Sequence, residues 1–404
     1  VTVPPLVEYG DAVSVALDDA AGRALAASRV VEAVPDPFVP GHWQIRAKGT
    51  IGVAAVHLPG GGTLDLRITP KVPIRRLLYL LGFSRNDKGW RDEDVQVSAD
   101  EDLLPALARL FATQAETALR QGMLKGYVSV DETALVMRGR VRMSEQARRH
   151  HGRLVPLEVT HDEFTEDIAE NRLLRAACES LLRTSRGIPD DVCGRLLRLR
   201  ARLSEITPVR RGTEIPVWQP SRLNARYHSA LRLAGIVLQG SSVESAPGDV
   251  TVSGFLFDMA RVFEDFVTTA LGESLASLPG YCRSQARHHL DESQAIRIIP
   301  DFVRYADDGT PLAVADAKYK AEKPAGFPDA DLYQMLAYCT ALGLSAGHLV
   351  YAAGNGSVAT HRVRHAGVVI HQHALDLDQS PDELRRSVDK LASFLDPEIR
   401  YLRH

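Results

Sequence analysis

Residues 296–320 read IRIIPDFVRYADDGTPLAVADAKYK, and residues 331–338 read DLYQMLAY. The first apolar run closes on Pro300-Asp301, and the second on Asp316-Ala317-Lys318. Between them Ala306 to Pro311, with Asp307-Asp308-Gly309 at its centre, is a turn, so the two runs are expected to form a β-hairpin. Asp316 and Lys318 are two apart and point to one face of their strand. The hairpin brings Asp301 beside Asp316. Gln334 and Tyr338 are four apart and share one face of the following helix. Upstream, Glu264 lies in a further helical stretch, Val262-Phe263-Glu264-Asp265-Phe266-Val267.

Acids and a lysine at neighbouring strand ends suit phosphodiester hydrolysis. That reaction needs a nucleophilic water, a neutralised phosphate and a stabilised leaving oxygen, and a hard divalent cation supplies all three. Mg²⁺ prefers carboxylate oxygens and often binds through one or two of them. A nearby lysine lowers the pKa of the attacking water or stabilises the developing charge. Each residue also has a plain reading: a turn Asp after a strand, a surface Asp-x-Lys ion pair, an ordinary helix acid. Those readings fit Asp316 and Lys318 poorly, because both follow an apolar run and flank an alanine, where unpaired charge is disfavoured.

The chain has 404 residues, enough for two or three domains, and 45% hydrophobic with 25% charged residues allows a sizeable core. Net charge is −3, so phosphate contacts must come from local patches. Cys178, Cys193, Cys282 and Cys339 stand singly with no CxxC pair, which argues against zinc and for free thiols in a reducing compartment. No apolar run reaches membrane-span length and no signal-peptide pattern opens the sequence, so a soluble, cytoplasmic protein with no membrane association is expected.

The expected fold class is multidomain α/β. Residues 1–98 read as a β-rich domain, with strands at Val13–Leu17, Ile51–Val56 and Leu64–Ile68 and a short helix from Ile74 to Gly82; Arg85 to Asp94 reads as a loop. Residues 99–224 read as mainly helical: Leu103, Leu107, Leu110 and Phe111 keep a helical period, helices are expected over 167–183, 190–206 and 221–238, and a strand-like interlude spans 127–141. Residues 225–404 read as a mixed sheet covered by helices, with a loop at 239–249 and a helix over Phe255–Ser277.

The order Glu, Pro-Asp, Asp-x-Lys, Gln-x-x-x-Tyr resembles that of PD-(D/E)xK nucleases of the RecB-like type. Asp316 to Lys320 followed by Asp331 to Tyr338 resembles, more specifically, the McrC family, the nuclease subunit of the McrBC modification-dependent restriction system. Ile68-Thr69-Pro70-Lys71-Val72 with Leu77 to Leu81, Leu135 to Val141 with its Arg-Gly-Arg, and Glu163 to Leu174 extend the resemblance over most of the chain. The resemblance implies a PD-(D/E)xK endonuclease domain in residues 225–404. It implies Mg²⁺ (or Mn²⁺) held by Asp301, Asp316, the Ala317 carbonyl and Glu264, with Lys318 as the catalytic lysine. Gln334 and Tyr338 then orient the site, while Tyr319 and Lys320 contact phosphate. It also implies a partner, a McrB-like AAA+ GTPase ring, with residues 1–98 as the docking domain and Lys71, Arg75 and Arg76, with Lys48 and Arg67, as ring contacts. This chain has no GxxxxGK[ST] motif to bind nucleotide itself.

Two basic stretches are candidate tracks for double-stranded, modified DNA: Arg138, Arg140, Arg142, Arg148 and Arg149 in one, and Arg195, Arg198, Arg200 and Arg202 in the other. Acids such as Glu145 and Glu205 interrupt both, as on an ordinary solvated helix face. Two rival functions stand beside the restriction subunit: a stand-alone RecB-like DNA nuclease, and a non-cleaving DNA-binding scaffold or GTPase activator.

Overall fold

The structure is a computed structural model and describes residues 3–58, 61–83, 102–184, 187–210, 213–246, 250–319, 329–352 and 359–396. The expected loop at Arg85 to Asp94, and Lys320, lie outside the described residues. The chain forms two compact units, one of residues 1–104 with 240–404, the other of residues 105–239. The fold is mixed α/β, as expected, and no described helix is long and apolar enough to cross a membrane.

In the first unit, Leu64, Leu66 and Ile68 alternate inward along the Thr63–Thr69 strand. Its five-stranded sheet runs Leu6–Val7, Thr63–Thr69, Thr50–His57, Val250–Asp258, Ser241–Ala246. The last two strands fall where a loop and the start of a helix were expected. Val250–Asp258 pairs antiparallel along the whole of Thr50–His57, and Phe255 and Phe257 are buried from it. Pairing with a strand so distant in sequence overrides the local helical pattern. The helix therefore begins only at Met259, where the Asp258 carboxylate caps it by accepting from Ala260 N and Arg261 N. The expected boundaries near residues 98 and 224 thus differ from the observed division, because the first residues share a sheet with residues beyond 240.

The second sheet of this unit runs Tyr281–Ser284, Phe302–Tyr305, Pro311–Lys318, Ala346–Ala352, Val369–Leu375, Thr360–Arg362. Pro311–Lys318 and Ala346–Ala352 are parallel, joined through the helix Asp329–Leu342. That helix buries Met335, Tyr338, Cys339 and Leu342 in the same apolar cluster as Val303, Val314, Leu349 and Ile370. Gly347 makes the close approach possible: a Cβ there would lie 2.5 Å from the Met335 sulfur and 2.6 Å from that of Cys339. Helix Met259–Leu275 buries Val262, Phe263, Phe266 and Val267, and Phe266 meets Phe83 of the helix Ile74–Phe83 at 5.1 Å, edge to face.

The second unit holds helices Leu103–Leu119 (whose first two residues fall in the first unit), Ala169–Arg183, Asp190–Arg202 and His228–Gly240 (whose last residue falls in the first unit). The strand-like interlude is a three-stranded sheet of Gly126–Ala134, Leu157–Thr165 and Arg140–Val141, with the unexpected helix Met143–His150 beside it. Gly139 of the Arg-Gly-Arg has φ +64°, and a Cβ there would stand 2.3 Å from the Thr160 carbonyl oxygen. Only glycine fits that crossing.

Candidate active site

The hairpin forms as the turn chemistry requires. Ala306 N donates to Thr310 O at 2.9 Å, Gly309 takes φ +87°, and Thr310 N donates to the Asp308 carboxylate at 2.9 Å. Phe302 lies opposite Ala315, so Asp301, one residue earlier, reaches the level of Asp316. Asp301 Oδ2 accepts from Ala317 N at 2.9 Å, which ties the first acid to the backbone between the second acid and the lysine. Asp316 is 2% exposed and forms an ion pair with Lys318.

From Lys318 the contacts run outward in a closed path. Its Nζ donates to Gln334 Oε1 at 2.9 Å, Gln334 Nε2 donates to the Tyr338 hydroxyl at 2.7 Å, and that hydroxyl donates to the Ile299 carbonyl at 3.2 Å. Ile299 precedes Pro300-Asp301, so the path returns to the first acid. Glu264 joins from the helix Met259–Leu275 through Gln285, whose Nε2 donates to Glu264 Oε1 and, at 3.2 Å, to Asp301 Oδ1. The structure therefore brings together Glu264, Asp301, Asp316, Lys318, Gln334 and Tyr338.

The electrostatics are those of crowded carboxylates. Burial, then the charges of Asp316 and Glu264, push the Asp301 carboxyl up to about 8. Burial raises Glu264 as well, and Asp265 and Asp316 add to it against the lowering effect of the Gln285 hydrogen bond. Burial pulls the Lys318 ammonium down, but Asp316, and behind it Asp301 and Asp331, outweigh burial and leave it above the usual lysine range. Burial, then Asp316 and Asp301, push the Tyr338 phenol upward, so it stays a hydrogen-bond donor. Oδ2 of Asp316 is buried, and its partner is the Lys318 ammonium.

This donor set fits a hard divalent cation. The oxygens are crowded carboxylates whose charges disfavour one another, and a cation would relieve that repulsion. Among the described residues no group of three or more His, Cys, Asp or Glu forms a ready-made cage. Mg²⁺ needs none, since it keeps several waters and binds through one or two carboxylates.

Other expected residues lie elsewhere. The Tyr319 hydroxyl donates to Glu8 at 3.1 Å, so its proton is directed at the N-terminal segment rather than at a phosphate. Arg67 is ion-paired with Asp102. Lys71 is exposed on the loop before the helix Ile74–Phe83, where Arg75 and Arg76 form part of the first turn. In the second unit Arg142 pairs with Asp131 and Glu158, Arg148 with Glu145, Arg149 with Glu145 and Glu158, and Arg195 with Glu116. Arg138 and Arg140 are exposed. Two residues near the site carry no motif signal that singles them out: Gln285 and Glu8. Asp331 is buried and accepts from the Tyr351 hydroxyl at 3.2 Å; it stands inside the DLYQMLAY stretch, at the start of the helix that bears Gln334, and that placement was its one available signal.

Fold and site together define a multidomain α/β chain with an acid–lysine centre at the mouth of a hairpin. The family model described as McrBC 5-methylcytosine restriction system component matches residues 45–352, and the chain belongs to that family. A chain of the refined half-complex from the tetradecameric assembly of Thermococcus gammatolerans McrB AAA+ hexamers with bound McrC is similar over 96% of this chain and 99% of that chain, with 20% identity and a TM-score of 0.59, which shows a shared fold. A chain of the cryo-EM structure of the Thermococcus gammatolerans McrBC complex is 23% identical over 69% of this chain and 90% of that chain, with a TM-score of 0.41. No curated protein matches the chain.

Proposed function

We propose that this chain is the DNA-cutting subunit of a modification-dependent restriction system. It is a Mg²⁺-dependent (or Mn²⁺-dependent) endodeoxyribonuclease acting on double-stranded DNA with 5-methylcytosine-type marks, and it works with a ring-forming AAA+ GTPase. The observation that carries the reading is the buried Asp316–Lys318 ion pair with Asp301 and Glu264 crowded beside it. Membership in the McrBC family supports the restriction role. Likeness to a chain from an assembly of McrB hexamers with bound McrC supports the partner.

Asp301 and Asp316 would hold the cation, with the Ala317 carbonyl and Glu264 completing its surroundings. The bound ion would neutralise the phosphate and acidify a water. Lys318 keeps its proton beside Asp316 and presents positive charge where negative charge develops on the scissile phosphate. Gln334 and Tyr338 fix the lysine's direction through their hydrogen bonds. Gln285 holds Glu264 and Asp301 together. Residues 240–404 carry the PD-(D/E)xK endonuclease fold in this reading. Residues 1–98 dock on the ring through Lys71, Arg75 and Arg76, and the exposed Arg138 and Arg140 contact the DNA backbone.

The test is cleavage of a methylated plasmid by the full chain with Mg²⁺, with and without the partner GTPase and GTP. Cutting that needs both, and that Asp316→Ala abolishes while ring binding persists, is the expected result. Cutting by the chain alone would establish a stand-alone nuclease. GTPase stimulation without cutting under any metal or DNA condition would establish a scaffold.

A further inference from the structure

Glu8 is fully buried, 311 residues before its partner Tyr319. Its backbone N donates to Thr69 O at 3.0 Å. Oε2 accepts from Lys71 N at 3.3 Å and from the Tyr319 hydroxyl at 3.1 Å. Oε1 is buried with no hydrogen-bond partner. A half-satisfied buried carboxylate costs stability, and an apolar side chain of similar size would fill the same space without that cost. What the carboxylate does deliver is a fixed hydroxyl on the residue that follows Lys318.

Tyr319 sits where the chain leaves the Pro311–Lys318 strand. Its ring lies 6.0 Å from that of Phe263 and 6.4 Å from that of Tyr9. Phe263 is fully buried and immediately precedes Glu264. The Tyr319 ring therefore stands between the N-terminal segment and the helix that supplies the third acid. Its hydroxyl is the one polar end of that wedge, and Glu8 holds it. The neighbouring strand supplies a second hold at the same level, because Lys318 is the register partner of Tyr351, whose hydroxyl is bound to Asp331.

We propose that Glu8 is a positioning residue for the cutting centre: through the Tyr319 hydroxyl it holds the strand end that presents Lys318. The proposal rests on the nuclease reading above and adds to it a dependence of the chemical step on the first ten residues. Glu8 touches no reacting atom in this account. Its effect passes through one hydrogen bond and one peptide unit.

The experiment is steady-state cleavage of a methylated DNA duplex by the full chain with Mg²⁺ and the partner GTPase, for Tyr319→Phe, Glu8→Leu, their double variant and Glu8→Gln. Tyr319→Phe keeps the ring and its packing, so it tests the bond without emptying the core. The expected result is a fall in kcat of about 10- to 100-fold with KM for DNA unchanged and the melting temperature not lowered, the size that small misplacements of reacting groups produce. The double variant is expected to be no worse than either single one, because both remove the same bond. Glu8→Gln is expected to recover most of the rate, since its amide oxygen still accepts the Tyr319 hydroxyl. Parental kcat in Tyr319→Phe, losses that follow the melting temperature, or losses that multiply in the double variant overturn the proposal. Lys318→Ala runs in the same assay. If it cuts, the nuclease site itself is wrong; if it is dead while Tyr319→Phe cuts at the parental rate, only the positioning role of Glu8 is wrong.

Discussion

The six-stranded sheet buries titratable groups on both faces, and the two faces solve the problem in opposite ways. Asp316 is the register partner of Leu349, whereas His348 is the partner of Ala315 and His371, so strand alternation puts the aspartate and the histidines on opposite sides. On the histidine side His348 Nδ1 and His373 Nε2 are 3.0 Å apart, and the His348 ring stacks on those of His371 and His373 at 5.1 and 5.3 Å. Burial, with His373 and His371 adding, lowers His348 to about 3, and burial with His371 lowers His373 to about 4. These rings are neutral and share a hydrogen bond. On the acid side a buried aspartate is ion-paired with a lysine held protonated, and burial, then the charges of Asp316 and Glu264, raise Asp301 to about 8. Neutral burial serves packing. Charged burial costs stability, and it marks the face to which the proposed chemistry is assigned.

The largest effect that would break this contrast is on rate. Lys318→Ala should lower cleavage by about 10²- to 10³-fold or more, as loss of a transition-state charge partner does, while His371→Gln, on the other face, should leave it unchanged. Equal losses in plasmid cleavage would remove the distinction between the faces.

Stability against pH comes next. The two histidines have folded values below the ordinary 6.5, so the unfolded chain binds protons first as pH falls. Their contribution is complete above about pH 6.5 and is lost toward pH 4, on the order of 2 kcal/mol per buried ring at pH 5. Denaturant titrations at pH 7 and 5 should show that loss, and it should shrink in His348→Leu.

The acid side has the reverse sign. Asp301 keeps its proton in the fold up to about pH 8, whereas the unfolded chain releases it near 4, so metal-free stability falls as pH rises between those values. Asp301→Asn should therefore raise the melting temperature of the metal-free chain at pH 8 by roughly 2–4 °C, the shift that about 1 kcal/mol produces in a large domain, while abolishing cutting. Calorimetry of Mg²⁺ binding at pH 7 in buffers of different ionisation enthalpy should detect a proton released from the parent chain and none from the variant. A lower melting temperature in the variant would refute the repulsion.

The smallest change is at Gln285, which is exposed yet bridges Glu264 and Asp301. Gln285→Ala should weaken Mg²⁺ binding by about 10-fold, the low end for a group that orients ligands from behind, with little change in melting temperature. Unchanged binding would reduce the bridge to a surface contact.

Much of the site was legible because its parts are local. A two-residue spacing put Asp316 and Lys318 on one face, a four-residue spacing put Gln334 and Tyr338 on another, and Asp308-Gly309 named the turn that aligns Asp301 with Asp316. Val250–Asp258 was misread because Phe255 and the residues after it continue a helical pattern locally, and only Thr50–His57 makes them a strand. Gln285 was missed because its amide acts through residues 21 before it and 16 after it, with no period to betray the link. The resemblance implied a phosphate contact for Tyr319, and nothing in local spacing shows that its hydroxyl donates to Glu8, 311 residues earlier.

By itself the sequence determined which acids and which lysine share the candidate centre and the local geometry that assembles them, since backbone periodicity and turn preference act over a few residues. Tertiary structure decided which charges are crowded, which hydroxyls are already engaged, and that the first ten residues belong to the same unit as Lys318. Those are consequences of burial and of contacts across hundreds of residues, and neither is written in local spacing.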